Sequence, residues 1–288
     1  MSGFNTNGNI GMSLWLPVDI AEQEPNAAGL PVNVARFGDG AHVLERGRLS
    51  TGLLTILVDS LGGMTSGLAA LPDWIVTTNL QLRMAADSDQ SDRGALPLTI
   101  TADVQRRGRS SVVTRVDVTD ASGGDVATAW LTCAILTPEH GAPVWERPLR
   151  LPARTSDDPI FRTPPPVFLG MEVPTPGVAE LRTEERLRNP WGILHGGAAA
   201  ALLDASARTC ITGDASDPTP ADTRVTDLTM QYLSPGRVGP IRAEAMPVGR
   251  RGDHHALRIE VRDVGADDRL MVLAHAKVRR DAGDGRMR

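Results

Sequence analysis

His195-Gly196-Gly197-Ala198-Ala199-Ala200-Ala201-Leu202-Leu203-Asp204 is the stretch from which the fold of this chain is best predicted. It places two flexible glycines at the expected start of a helix and one carboxylate two turns further along. The first N–H groups of a helix lack helical partners, and the helix dipole adds to their attraction for an anion. The four alanines allow close packing by a neighbour. Asp204 lies in an otherwise apolar stripe, where an acid is costly unless it has a function.

Length and composition predict a soluble globular protein of one large domain or two ordinary ones. The chain has 288 residues, 41% of them hydrophobic, and a net charge of −5, so no overall field favours nucleic acid. The apolar runs are expected to be far too short to span a membrane, and residues 1–7 do not resemble a secretory signal. Cys133 and Cys210 are expected to be buried thiols in a reducing cytoplasm.

The two halves of the sequence resemble each other at an offset of 145 residues, which aligns Gly52 with Gly197 and Asp59 with Asp204. Each half predicts a strand, one long apolar helix and then four antiparallel strands. The helices are expected at 51–68 and 196–211. The strands are expected at 75–84, 96–104, 110–118, 126–136, 225–233, 240–248, 254–261 and 270–278.

Proline marks the boundary between these halves, with eight prolines between positions 138 and 166. Such a segment is expected to be extended and not helical. The predicted organisation is therefore an N-terminal domain at 1–137, a proline-rich linker at 138–166 and a C-terminal domain at 167–288.

The predicted unit resembles the hotdog fold, an α+β fold in which an antiparallel sheet wraps a long helix. The segment Asn189-Pro190-Trp191-Gly192-Ile193-Leu194-His195-Gly196-Gly197, followed by Asp204, is similar to the signature of the PaaI-type acyl-CoA thioesterases. The first half keeps only Gly52 and Asp59 of that pattern. The resemblance implies a double hotdog, with two long central helices each wrapped by a sheet, that imitates a homodimer within one chain.

The resemblance also implies a chemistry, the hydrolysis of acyl-CoA to a free acid and coenzyme A. A carboxylate can attack a thioester directly or activate a water, and a helix-start amide such as that of Gly197 can bind the oxyanion. In the resembling family the histidine orients the loop and the asparagine contacts the thioester or water, roles that fall here on His195 and Asn189. Gly52 and Gly196 are further candidates for binding substrate.

Helix geometry predicts which acid serves which amide. Gly197 and Asp204 are seven residues apart, roughly 10 Å along the axis, whereas attack requires about 3 Å. The acid must therefore come from the other helix, packed antiparallel. Site one would combine Asn189, His195 and Gly197 with Asp59. Site two would combine Gly52 and Ser50 with Asp204, which is expected to work weakly or to be vestigial.

Arg250 and Arg251, in a turn after the second of the four later strands, could bind coenzyme A phosphates or could be a solvated turn. No metal-ligand spacing is present, so no metal or cofactor is expected apart from the coenzyme A of the substrate. Two alternatives remain open: a non-catalytic acyl-CoA-binding protein and a double-hotdog enoyl-CoA hydratase. Neither Asp59 nor Asp204 has the histidine five residues later that such hydratases use. Further association into homo-oligomers is expected, and the acyl chain cannot be read from the sequence.

Overall fold

The computed structural model describes residues 18–38, 41–85, 96–137, 147–153, 157–189 and 191–281. Within them lie three α-helices: α1 (Thr51–Ala70), a short α2 (Pro165–Phe168) and α3 (Gly196–Thr212). The strands are β1 (Val18–Glu22), β2 (Val32–Phe37), β3 (Trp74–Met84), β4 (Leu98–Arg107), β5 (Ser111–Thr119), β6 (Asp125–Leu136), β7 (Arg150–Leu151), β8 (Glu172–Thr175), β9 (Val178–Leu181), β10 (Thr223–Tyr232), β11 (Ile241–Arg251), β12 (His254–Asp263) and β13 (Arg269–Arg280).

All thirteen strands form one antiparallel sheet, in the order β7-β1-β2-β4-β5-β6-β3-β10-β13-β12-β11-β9-β8. The predicted unit of a strand, a long helix and four strands is found twice, as β2-α1-β3-β4-β5-β6 and β9-α3-β10-β11-β12-β13. The halves join where β3 pairs with β10, from Asp227↔Arg83 to Gln231↔Asn79. This pairing makes one continuous sheet of the strands of both halves.

The two long helices pack against each other and against the sheet. A Cβ added to Gly52 would lie 2.9 Å from the Cα of Ala201, and one added to Gly197 would lie 2.6 Å from the Cα of Ile56. Gly52 near the start of α1 thus contacts Ala201, whereas Ile56, later in α1, contacts Gly197, earlier in α3. The two helices are therefore antiparallel. Only residues without bulky side chains allow two helix backbones to approach so closely.

Helix α1 is long and apolar enough to cross a bilayer, but 78% of its most apolar stretch is buried inside the protein. The sequence-based expectation about short apolar runs is thus wrong for residues 51–70. Burial in the core explains their hydrophobicity, because a helix covered on all sides has no polar face to keep. The side chain of Ser50 caps this helix by accepting a hydrogen bond from the Leu53 amide.

The proline-rich segment contains helical turns, which corrects the expectation that it has none. Part of it, 138–146 and 154–156, lies outside the described residues. In the remainder, Pro159–Arg162 forms a 3₁₀ turn and α2 follows at Pro165–Phe168, each with proline in its first turn. Proline is tolerated there because the first N–H groups of a helix have no helical partner to lose. Strand β7 in the same segment pairs with β1.

Candidate active site

Asp59 of α1 meets the first turn of α3. The amide of Gly197 donates a hydrogen bond to Asp59 Oδ2 over 3.1 Å, and Thr77 on β3 donates to Asp59 Oδ1, also over 3.1 Å. The Asp59 residue is only 7% exposed. The carboxylate is thus held at both oxygens, with one oxygen at the positive end of a helix. The structure places this acid beside this amide, as the helix-spacing argument requires.

His195 caps the same helix. Its Nδ1 accepts a hydrogen bond from the Gly197 amide over 3.0 Å and lies 3.4 Å from Asp59 Oδ2. Burial lowers the pKa of His195 below its usual value, although the Asp59 charge opposes this shift. The imidazole is therefore neutral near pH 7, and an accepting Nδ1 leaves its hydrogen on Nε2, 3.5 Å from Ser60 Oγ.

Gly196 and Gly197 are glycines for different steric reasons. A Cβ at Gly196 would lie 2.8 Å from Asp59 Oδ2 and 3.0 Å from the hydroxyl oxygen of Tyr232. A Cβ at Gly197 would instead meet the backbone of Ile56. The first glycine makes room for polar side chains at the site, whereas the second allows the helices to cross.

Asn189 shapes the turn that leads into α3. Its Oδ1 accepts hydrogen bonds from the amides of Trp191 and Ile193, over 2.9 and 3.3 Å. Gly192, in the same turn, has a φ of +69°, which disfavours any residue with a side chain. The indole of Trp191 donates to the backbone oxygen of Ile75 on β3, over 3.2 Å, and so ties this turn to the first half. The described contacts of Asn189 therefore lie within its own turn.

Asp204 has a very different environment. Arg208 Nη1 lies 3.3 Å from Asp204 Oδ2 and 2.6 Å from Glu45 Oε2, and all three residues are buried. Arg208 also donates to the backbone oxygen of Pro220. Burial raises the pKa of Asp204 to about 6, with Arg208 opposing the shift. The acid expected at site two is thus ion-paired, and the residue that aligns with His195, Ser50, serves as a helix cap.

The other predicted substrate-binding residues, Arg250 and Arg251, are exposed at the end of β11 beside the β11–β12 turn. The guanidinium of Arg250 donates to the backbone oxygen of Gly252, within the turn itself. No described hydrogen bond or ion pair connects either arginine to Asp59 or to the start of α3.

Sequence reasoning missed four side chains: Thr77 and Tyr232 at the first site, and Glu45 and Arg208 at the second. The spacing of Asp204 and Arg208, four residues apart in one helix, is a signal that could have identified their pairing. The hydroxyl of Tyr232 donates to the backbone oxygen of Gly196 over 3.2 Å. Nothing local in the sequence of β10 indicates this contact.

Comparison with known protein families gives one match. Residues 192–268 match the model of the Thioesterase superfamily. The matched residues include the start of α3, Asp204 and strands β10 to β12. No curated protein matches the sequence.

Solved structures resemble almost the whole chain. The TesB protein of Mycobacterium avium subsp. paratuberculosis is 10% identical, with a TM-score of 0.56 over 86% of this chain and 93% of its own. A provisionally assigned oleoyl thioesterase of Lactobacillus plantarum is 12% identical, with a TM-score of 0.56 over 93% and 99%. An acyl-ACP thioesterase of Bacteroides thetaiotaomicron is 12% identical, with a TM-score of 0.52 over 86% and 98%.

A further neighbour, a conserved protein of unknown function from Alicyclobacillus acidocaldarius, is described as having a hot dog fold and is 17% identical, with a TM-score of 0.50 over 86% of this chain and 93% of its own. At such low identity the likeness carries the fold and not the activity. The chain therefore has a hotdog-type α+β fold, with a large antiparallel sheet and a long apolar helix buried against it.

Proposed function

We propose that this protein is a thioesterase that hydrolyses acyl-CoA, with Asp59 as its catalytic carboxylate. The observation that carries the proposal is the 3.1 Å contact between Asp59 Oδ2 and the Gly197 amide. In a substrate complex the thioester oxygen would replace Asp59 Oδ2 as the acceptor of that N–H, and its carbonyl carbon would then lie beside the displaced carboxylate, which must approach to about 3 Å for attack. The family match of the second half and the thioesterases among the solved neighbours support the same reaction.

The reaction can follow either of two routes. In one, Asp59 attacks the carbonyl carbon while the Gly197 amide binds the oxyanion. The thiolate then departs, and the remaining anhydride between Asp59 and the acyl group is hydrolysed by water. In the other, Asp59 removes a proton from an attacking water, and that proton passes to the departing thiolate. Turnover in ¹⁸O-labelled water tests the first route, because label enters the Asp59 carboxylate only when water attacks the Asp59 carbonyl of an anhydride.

The proposed architecture is a double hotdog of the PaaI type, with domains at 1–137 and 167–288 and unequal sites. The repeated order of helix and strands supports two units, and the ion pair between Asp204 and Arg208 supports a single working site. A cytoplasmic location accords with the two free cysteines. Further association of such units into homo-oligomers stays a prediction, which the mass measured in solution tests.

The decisive experiment compares Asp59→Asn with Asp204→Asn. Release of free thiol from a panel of acyl-CoAs should be abolished by the first change and retained by the second, with both proteins folded. The reverse result would overturn the crossed pairing. Binding of acyl-CoA by the wild-type protein without thiol release would favour a binding protein, and loss of enoyl absorbance would favour a hydratase.

Separate measurements identify the thiol part of the substrate, coenzyme A or acyl carrier protein, and the acyl chain. If Arg250 contacts coenzyme A phosphates, Arg250→Ala should raise KM for an acyl-CoA and leave KM for the matching acyl-pantetheine unchanged. Equal KM values in wild type and variant would remove this role. Because one solved neighbour is an acyl-ACP thioesterase, the panel should include an acyl carrier protein loaded with the same acyl group.

A further inference from the structure

Tyr232 is the only tyrosine in the chain and the last residue of β10. Its hydroxyl donates a hydrogen bond to the backbone oxygen of Gly196 over 3.2 Å. A point one bond from the Gly196 Cα, where a Cβ would be, is 3.0 Å from this hydroxyl and 2.8 Å from Asp59 Oδ2. The phenol therefore reaches the proposed site from the strand that joins the two halves of the sheet.

The atom that Tyr232 contacts belongs to the same peptide unit as the Gly197 amide. A trans peptide is planar, with its C=O and N–H groups pointing in opposite directions. The Gly196 oxygen thus receives the Tyr232 hydroxyl on one side, while the Gly197 N–H faces Asp59 on the other. A hydrogen bond accepted by the oxygen fixes the plane of the unit and polarises its N–H, which becomes a stronger donor.

We infer that Tyr232 is a positioning residue for the proposed hydrolysis, acting through the 196–197 peptide to aim and strengthen the amide that binds the oxyanion. This inference rests on the proposed function. Burial and the nearby Asp59 charge raise the pKa of Tyr232 well above its usual value. The phenol is therefore protonated at neutral pH, as donation to the Gly196 oxygen requires.

The test is Tyr232→Phe, which removes the hydroxyl and keeps the ring. The matched control is Thr78→Val, on β3. It removes a hydroxyl that donates a hydrogen bond to the backbone oxygen of Thr132, on β6, over 2.9 Å. Loss of one neutral hydrogen bond predicts a kcat about 3- to 10-fold lower for Tyr232→Phe, with KM changed by less than about 2-fold. Thr78→Val should leave kcat within about 2-fold of wild type.

Three results would overturn the inference. These are an unchanged kcat in Tyr232→Phe, an equal loss in Thr78→Val, or loss of the alkaline limb of the pH–kcat profile in Tyr232→Phe alone. The last result would make the phenol a proton donor.

Amide hydrogen exchange separates failure of this inference from failure of the proposed function. If the wild-type protein hydrolyses no thioester, the proposed function fails, and the hydrogen bond can still be tested. Exchange at the Gly197 amide should be faster in Tyr232→Phe than in wild type and unchanged in Thr78→Val. Equal exchange rates in all three proteins would show that Tyr232 does not hold this peptide.

Discussion

Replacement of the two neighbouring glycines by alanine should lower activity in both cases but lower stability only at Gly197. Gly196→Ala places a methyl group 2.8 Å from Asp59 Oδ2 and 3.0 Å from the Tyr232 hydroxyl, both of them ends of side chains that can move. Gly197→Ala places its methyl group 2.6 Å from the Cα of Ile56, in the backbone of α1, which can yield only if the helices separate.

The magnitudes follow from these distances. Ordinary contact with the new methyl group needs about 3.4 Å, so Gly196→Ala should displace the Asp59 oxygen by about 0.6 Å. Because a 1 Å misplacement can cost about 100-fold, kcat/KM should fall roughly 10- to 100-fold. Unfolding free energy should stay within about 1 kcal/mol of wild type, since alanine is the better helix former. Gly197→Ala overpacks the contact between the two helices and should lower the unfolding free energy by about 1–3 kcal/mol or more. It should also lower activity.

Urea denaturation and thiol release, measured on the same preparations, provide the assay. Gly63→Ala in α1 is the control, because its new methyl group would have only Ile75 Cδ1 nearby, at 4.0 Å. It should raise the unfolding free energy by about 0.5–1 kcal/mol and leave kcat unchanged. Full activity in a folded Gly196→Ala protein would refute the reasoning, as would a loss of stability equal to that of Gly197→Ala.

Three further predictions concern buried ionisable groups. Arg208→Met leaves the Asp204 and Glu45 carboxylates buried without their cation, so urea denaturation at pH 8 should show a loss of about 3–5 kcal/mol, and a loss below about 1 kcal/mol would contradict it. The folded pKa of Asp204, about 6, exceeds its reference value of 3.8, so the folded state binds more protons between these values and stability should fall as pH rises from about 4 to 6. Asp204→Asn should flatten that slope, and an unchanged slope would exclude Asp204 as its cause. Burial raises the pKa of Cys133 to about 12, so a disulfide reagent at pH 8 should modify the half-buried Cys210 first and Cys133 only after unfolding; equal rates would contradict this order.

Much of the fold could be predicted from local patterns. Both long helices start where expected, at Thr51 and Gly196, and end within two residues of the predicted positions. Amphipathic alternation marked the eight strands after the helices because one face of each strand is buried. The pairing of β3 with β10 could not be predicted in this way, since it joins strands about 150 residues apart and depends on how the halves pack. The structure of the proline-rich segment was predicted wrongly because proline is disfavoured inside a helix but tolerated in its first turn.

The contact between Asp59 and the Gly197 amide could be predicted because it depends on backbone geometry. Because an α-helix has a fixed rise, the seven residues between Gly197 and Asp204 place that acid too far along the axis. The acid beside Gly197 was therefore expected from the other helix, and it is Asp59. Thr77 and Tyr232 could not be found, since which residue of a strand reaches a helix start depends on sheet register and twist. Arg208 was overlooked because an arginine in a helix usually extends into solvent, and here it is 7% exposed.

Under the 145-residue offset, the residue that corresponds to Arg208 is Gly63, four positions after Asp59 just as Arg208 is four positions after Asp204. None of the described contacts of Asp59 involves an arginine or lysine. In an assembly of two identical chains any substitution occurs twice, so a counter-ion gained by one acid would be gained by both. A single chain with both halves escapes this constraint. Asp204 can therefore share an arginine with Glu45 and so connect the two halves, while Asp59 remains without a cationic partner among its described contacts. Two identical chains could not differ in this way.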